Sequence, residues 1–75
     1  MDLQMLRQII HSKGLNNLKM AQLLKISPTA FHNKMKGSRE FKDSEIRGLK
    51  EVLELDDEVM CILLFGDHSG GSSNV

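Results

Sequence analysis

Three hydrogen-bonding side chains, Thr29, His32 and Asn33, lie close together in the middle of the chain. The Thr29 hydroxyl can donate or accept a hydrogen bond, and its methyl group can touch the methyl of a thymine. The Asn33 amide can make a bidentate contact with adenine, and the His32 imidazole offers a further donor or acceptor. Side chains spaced three and four residues apart share one side of a helix. They predict a helix surface suited to reading base edges in the major groove of DNA.

Two short helices joined by a tight turn are predicted within residues 17–37. Ser27 can accept hydrogen bonds from the free N–H groups of the second helix, and Pro28 suits its first position. The glycine at the end of this segment can adopt the left-handed conformation that ends helices. Phe31 and Met35 are four residues apart, so they share the face that docks the helix. The side chains left directed outward are Thr29, His32, Asn33 and Lys36.

The charged residues are segregated along the chain, although the formal net charge is zero. Residues 13–42 hold seven basic residues and one acidic residue, whereas residues 43–67 hold eight acidic residues and two basic ones. The basic segment coincides with the predicted helix pair, which favours binding to a polyanion over a merely solvated face. Phosphate contacts are expected at the N-terminus of the first helix of the pair, which Asn16 or Asn17 caps, and around the second. The candidates are Asn17, Lys19, Lys36, Ser38, Arg39 and Lys42.

Helices are also predicted on both sides of this pair. Apolar residues at positions 3, 6, 9 and 10 predict a helix over residues 2–12, and those at 46, 49, 52 and 53 predict one that ends near residue 54. The cap of the latter is expected at Asp43 or Ser44. Gly48 inside it indicates a close approach of another helix. Phe41, in the loop before it, is expected to pack on the core rather than to stack on bases.

Residues 59–65 are seven consecutive apolar residues. A helix capped by Asp56 or Asp57 is the favoured prediction, and a strand is the alternative because short apolar runs do not distinguish the two. A chain of this size can cover only one side of the run, so the other side is expected to form a homodimer interface. Cys61 is expected to be a small buried apolar residue. The expected interface residues are Val59, Met60, Ile62, Leu63 and Phe65.

The 75 residues allow one domain, assigned to residues 1–66, followed by a Gly- and Ser-rich tail at residues 67–75 that is expected to be disordered. The single cysteine excludes an internal disulfide. No apolar run is long enough to span a membrane, and the first residues do not resemble a signal peptide. The expectation is a cytoplasmic protein without a membrane partner.

Enzymatic chemistry is not indicated by the sequence. His11, His32 and His68 lie far apart, with no carboxylate or cysteine at metal-ligand spacing. A Gly-rich phosphate loop is lacking, and Cys61 has no nearby base. We therefore expect no catalytic residues, metal, cofactor or small-molecule ligand.

Residues 18–37 resemble the helix-turn-helix of the phage repressor and Cro family, especially the small regulators of phages and prophages of Gram-positive bacteria. The resemblance rests on Ala21 in the first helix, I-S-P-T at the turn, Phe31 in the second helix and Gly37 at its end. It extends over roughly residues 3–65. It implies an all-α, compact bundle of about five short helices, a lambda-repressor-like DNA-binding domain with the motif as helices two and three. The small Ala21 suits a close helix crossing.

Two positions depart from the family pattern. Many members carry Gly where this chain has Lys25, and many carry an apolar residue where it has Lys34, so Met35 is expected to pack in its place. In the family, the first, second and sixth residues of the second helix commonly read bases. The resemblance therefore implies base reading by Pro28, Thr29 and Asn33, with Pro28 limited to van der Waals contact.

The function that the resemblance implies is sequence-specific binding of double-stranded DNA by a transcriptional regulator of repressor type. One short helix reads few base pairs, so a dimer on a near-palindromic operator is expected. The alternative is a helix-turn-helix fold that binds protein, as in an antirepressor or an antitoxin-like partner. In that case the apolar residues 59–65 would be the working surface.

Overall fold

The computed structural model describes residues 1–65, and within them all regular structure is α-helical. The helices are α1 (Leu3–Ser12), α2 (Asn17–Leu24), α3 (Pro28–Met35), α4 (Asp43–Leu53) and α5 (Asp57–Phe65). The predicted all-α class is confirmed, and the strand alternative for residues 59–65 is wrong. The expected tail at residues 67–75 lies outside the described residues, as do Gly66 and His68. Among residues 1–65, none of the helices has the length and apolar character needed to cross a membrane.

Four helices begin at a side chain that accepts a hydrogen bond from the backbone N–H three residues later. Asp2 caps α1, Asn16 caps α2, Ser27 caps α3 and Asp56 caps α5, with donor–acceptor distances of 2.8–3.0 Å. Each side chain replaces one of the hydrogen bonds that the first turn of a helix lacks. Of the alternatives that the sequence left open, Asn16 and Asp56 are the caps.

The start of α4 differs from the prediction. Lys42, rather than Asp43 or Ser44, occupies the cap position, and its side chain makes no capping hydrogen bond. Instead, the carboxylate of Glu45 reaches back and accepts a hydrogen bond from the Lys42 backbone N–H at 2.8 Å. This is the returning half of a capping box, in which the third helical residue satisfies the free donor of the cap.

Within residues 1–65, four residues adopt the left-handed conformation, and each follows a helix. Gly14 (φ +74°) does so after α1, and Gly37 (φ +89°) does so after α3, as predicted. Lys25 (φ +62°), which ends α2, and Glu54 (φ +55°), which ends α4, do so with a side chain. Lys25 therefore adopts a backbone conformation that a glycine would adopt without strain.

Every helix contributes two residues to one hydrophobic core. The apolar seams predicted for α1 and α4 are confirmed, since the second and fourth residues of each seam are buried and the first and third are half-buried. A continuous core of this kind supplies most of the free energy that holds short helices together. The core residues are Leu6, Ile10, Met20, Ala21, Phe31, Met35, Leu49, Leu53, Met60 and Leu63.

Helix α2 packs against both α3 and α4. Ala21 is fully buried, as expected for a small residue at a helix crossing. Gly48 allows the approach of α4, because a Cβ at this position would lie 2.7 Å from Leu24 Cδ2. The predicted reason for a glycine inside α4 is thereby confirmed.

Helix α5 packs against α1, and it divides the apolar run into inner and outer residues. Met60 and Leu63 belong to the core, so their assignment to a dimer interface is wrong. The Leu63 carbonyl also accepts a hydrogen bond from the Asp2 backbone N–H at 2.8 Å, which joins the beginning of α1 to the end of α5. Cys61 is exposed, contrary to the expectation of a buried position.

Candidate nucleic-acid interface

Helix α3 packs on the hydrophobic core with one face and leaves the opposite face accessible. Phe31 is completely buried and Met35 is 2% exposed, and they lie four residues apart as predicted. Thr29 and His32 are exposed, and Asn33 is half-buried at the edge of the helix. Pro28 is exposed at the first helical position, where its missing N–H leaves no hydrogen bond unmade. The four candidate base-reading residues thus lie on or beside the outward face of one helix.

The basic loop, residues 38–42, folds back against α3 through backbone hydrogen bonds. The carbonyl oxygen of Asn33 accepts from the Ser38 N–H at 2.9 Å and from the Arg39 N–H at 3.3 Å. These bonds satisfy a carbonyl at the end of α3 that has no partner within the helix. They also place two candidate phosphate-binding residues directly beside a candidate base-reading residue.

A groove of about 370 Å³ runs between α3 and the basic loop. The polar side chains of Thr29, Asn33, Arg39 and Lys42 line it together, so the fold brings two base-reading candidates and two phosphate-binding candidates to one place. Asn17 lines a different depression, together with Arg7 and His11. The remaining candidates are exposed and line neither of these depressions: Pro28, His32, Lys19, Lys36 and Ser38.

A buried ion pair supports α3 from within, and it was not predicted from the sequence. Lys34 Nζ donates to Glu45 Oε1 at 2.5 Å, and the two side chains are only 8% and 9% exposed. Met35 packs in the core as expected. Lys34 is buried as well, although its position was expected to leave the packing to Met35. The available signal was the spacing: Lys34 follows Phe31 by three residues and therefore shares its inward face.

Beyond the ion pair itself, the Glu45 carboxylate and the Lys34 ammonium each have a further favourable contact. Burial raises the pKa of Glu45, but the hydrogen bonds from Lys34 and from the Lys42 N–H, together with the two lysine charges, hold that pKa below its ordinary value. Lys34 Nζ also lies 6.0 Å from the centre of the Phe41 ring, within the range of a cation–π contact. Phe41 packs edge-on against Phe31, with ring centres 5.9 Å apart, which confirms its predicted contact with the core.

The ion pair alters the charge pattern that the sequence suggests. Lys34 belongs to the basic segment but is neutralised by Glu45, a residue of the acidic segment. Its ammonium is therefore turned away from solvent, whereas Lys19, Lys36, Arg39 and Lys42 are exposed. These four candidate phosphate-binding side chains contribute accessible positive charge around α3.

The outer side of α5 carries an exposed apolar surface, to which the buried Met60 and Leu63 do not contribute. Phe65 is 76% exposed and Ile62 is 37% exposed, while Val59 is half-buried. Next to them, an apolar groove of about 230 Å³ is lined by Leu64 together with residues of α1, α4 and the basic loop. Val59, Ile62 and Phe65 are the predicted interface residues that remain outside the core, and they are called the outer face of α5 below.

Among residues 1–65, no group of three or more His, Cys, Asp or Glu side chains could hold a metal ion. A scan against models of protein families, a search of curated proteins and a search of solved structures each found no match.

Proposed function

We propose that this protein is a sequence-specific regulator that binds double-stranded DNA by inserting α3 into the major groove. The observation that carries the proposal is the combination of outward side chains on α3 with a basic loop hydrogen-bonded to the Asn33 carbonyl. The packing of α2 on α3 across a tight turn is consistent with a helix-turn-helix. The likeness of residues 18–37 to the phage repressor and Cro family supports the same proposal.

Binding would combine two kinds of contact. Lys19, Lys36, Arg39 and Lys42 would contact phosphates, which supplies affinity that is independent of sequence and decreases with salt. Thr29, His32 and Asn33 would contact base edges, which supplies discrimination between sequences. Pro28 would add only van der Waals contact at the beginning of the helix.

A dimer follows from the length of α3. Its eight residues span ~12 Å, which covers only a few base pairs at ~3.4 Å each. Two copies of α3 about one helical turn of DNA apart would read a near-palindromic operator. The outer face of α5 is the apolar surface that supports self-association. Occupation of a promoter by such a dimer would repress transcription.

Selection of bound duplexes from a random-sequence library at moderate salt tests the proposal. We expect enrichment of an inverted repeat by the unaltered protein and a change or loss of that repeat with Asn33→Ala. Gln4→Ala is the matched control, because Gln4 is an exposed amide on α1 that is remote in sequence from α3. Binding without enrichment, or no binding, would contradict the proposal.

A second candidate function is a helix-turn-helix fold that binds another protein, and the exposure of Phe65 favours it. The salt dependence of complex formation separates the two functions. DNA binding should weaken by orders of magnitude between about 50 and 200 mM salt, because counterions are released from the phosphates. An apolar contact made by Phe65 and Ile62 should change little over the same range.

A further inference from the structure

The carboxylate of Glu45 joins three parts of the candidate interface through a single oxygen atom. Its Oε1 accepts hydrogen bonds from Lys34 Nζ on α3 and from the Lys42 N–H at the end of the basic loop. Glu45 itself lies in the first turn of α4 and also lines the groove beside Thr29 and Asn33. Along the chain, the segment that contains Ser38 and Arg39 lies between these two donor residues.

We propose that Glu45 is a positioning residue for DNA reading, which rests on the function proposed above. It holds α3 and the C-terminal end of the basic loop at a fixed separation, while the Asn33 carbonyl holds the N-terminal end. The loop is thus attached at both ends, and its phosphate-binding side chains keep their position relative to the base-reading ones. Contacts that fix such a separation contribute to discrimination between sequences, since a displaced helix cannot reach base edges with the correct geometry.

The negative charge of Glu45 allows a positioning effect on α3 and the loop to be distinguished from electrostatic attraction to DNA. Glu45 is negative, so its replacement by a neutral residue would strengthen non-specific attraction to DNA rather than weaken it. A loss of specific binding in Glu45→Gln would therefore arise from geometry. A residue that only stabilises the fold would lower specific and non-specific binding in the same proportion, through the fraction of folded protein.

The test compares the affinities of Glu45→Gln for a selected duplex and for an unrelated duplex, with folding monitored by circular dichroism. We expect the ratio of the two affinities to fall by about tenfold, the size of one lost base contact, while affinity for the unrelated duplex is unchanged or higher. Asp57→Asn is the matched control, because it makes the same chemical change at the exposed Lys50–Asp57 pair. Its ratio should equal that of the unaltered protein. If Glu45→Gln does not fold, Lys34→Met combined with Glu45→Gln leaves no unpaired ammonium and should show the same fall.

Amide hydrogen exchange without DNA gives an independent measurement. In Glu45→Gln, the amides of Ser38, Arg39 and Lys42 should exchange at least about tenfold faster, and in Asp57→Asn they should not. Unchanged exchange, or a proportional loss of both affinities, would overturn the positioning role. Failure of the unaltered protein to bind any duplex would instead overturn the proposed function, and hydrogen exchange would still decide whether Glu45 holds the loop.

Discussion

Lys34 Nζ and Glu45 Oε1 form an ion pair that links the inner side of α3 to the first turn of α4. The two residues are eleven positions apart in the sequence, and both are almost completely buried. Because Glu45 also satisfies the Lys42 N–H, one side chain supports both the end of the basic loop and the helix that carries the candidate base-reading residues.

Removing one partner of this pair should strongly destabilise the protein. Lys34→Ala leaves the Glu45 carboxylate buried without its ammonium, which costs about 3–5 kcal/mol in comparable pairs. Lys50→Ala is the control, because the Lys50–Asp57 pair is exposed and screened by solvent, so its loss should change the free energy of unfolding little. Urea denaturation measures both changes. Equal effects of the two substitutions would show that the buried pair makes no special contribution.

The stability of the fold should decrease in acid through Glu45. Its pKa in the folded protein lies below the ordinary value of 4.5, so folding favours the charged form. The resulting stabilisation is complete above that ordinary value and is lost as the pH falls through the lower, folded pKa. The groups facing Glu45 are Lys34 and Lys42. Urea denaturation at a series of pH values should show a smaller decrease for Glu45→Gln than for the unaltered protein, and parallel curves would contradict this assignment.

Lys25→Gly should raise the free energy of unfolding. Lys25 has a φ of +62°, and a left-handed conformation costs a residue with a side chain ~1–2 kcal/mol, which exceeds the entropic penalty of ~0.5–1 kcal/mol for glycine. We expect a gain of ~0.5–1 kcal/mol by urea denaturation. Lys36→Gly is the control, since Lys36 ends α3 with a φ of −92° and should lose stability on the same substitution. A loss at Lys25 would contradict the prediction.

Gly48→Ala and Leu24→Ala should be energetically coupled. A Cβ at position 48 would meet Leu24 Cδ2 at 2.7 Å, so the steric conflict should offset the ~1 kcal/mol that alanine gains over glycine within a helix. When Leu24 is shortened, the gain from Gly48→Ala should be larger by at least about 0.5 kcal/mol. A double-mutant cycle in urea measures this difference. Additive effects would mean that Leu24 can move aside without cost.

Arg39→Ala should reduce the salt dependence of DNA binding. Loss of one phosphate contact should make the slope of log K against log salt concentration shallower by about 0.9. Lys50→Ala is the control, because Lys50 is paired with Asp57 between α4 and α5 and should leave the slope unchanged. Filter binding or fluorescence anisotropy over a salt series gives the slopes. An unchanged slope for Arg39→Ala would remove this residue from the phosphate-binding set.

Features that depend only on neighbouring residues follow from the local sequence. Asp2, Ser27 and Asp56 cap helices through hydrogen bonds to the third residue that follows, and such bonds need no tertiary contact. Gly37 ends α3 for a similarly local reason. The four-residue spacing of Phe31 and Met35 was enough to predict the docked face of α3, because helical periodicity is a property of the segment alone.

Which distant groups meet depends on how the helices pack. Residues 59–65 have no polar face, so their periodicity could not separate the buried Met60 and Leu63 from the exposed Phe65, and packing against α1 made that choice. The pairing of Lys34 with Glu45 likewise depends on the position of the start of α4 relative to α3. In the sequence, Lys34 belongs to the basic segment and Glu45 to the acidic segment. The energy of a buried ion pair depends on the distance between the charges and on the exclusion of solvent, and both are set only in the folded protein.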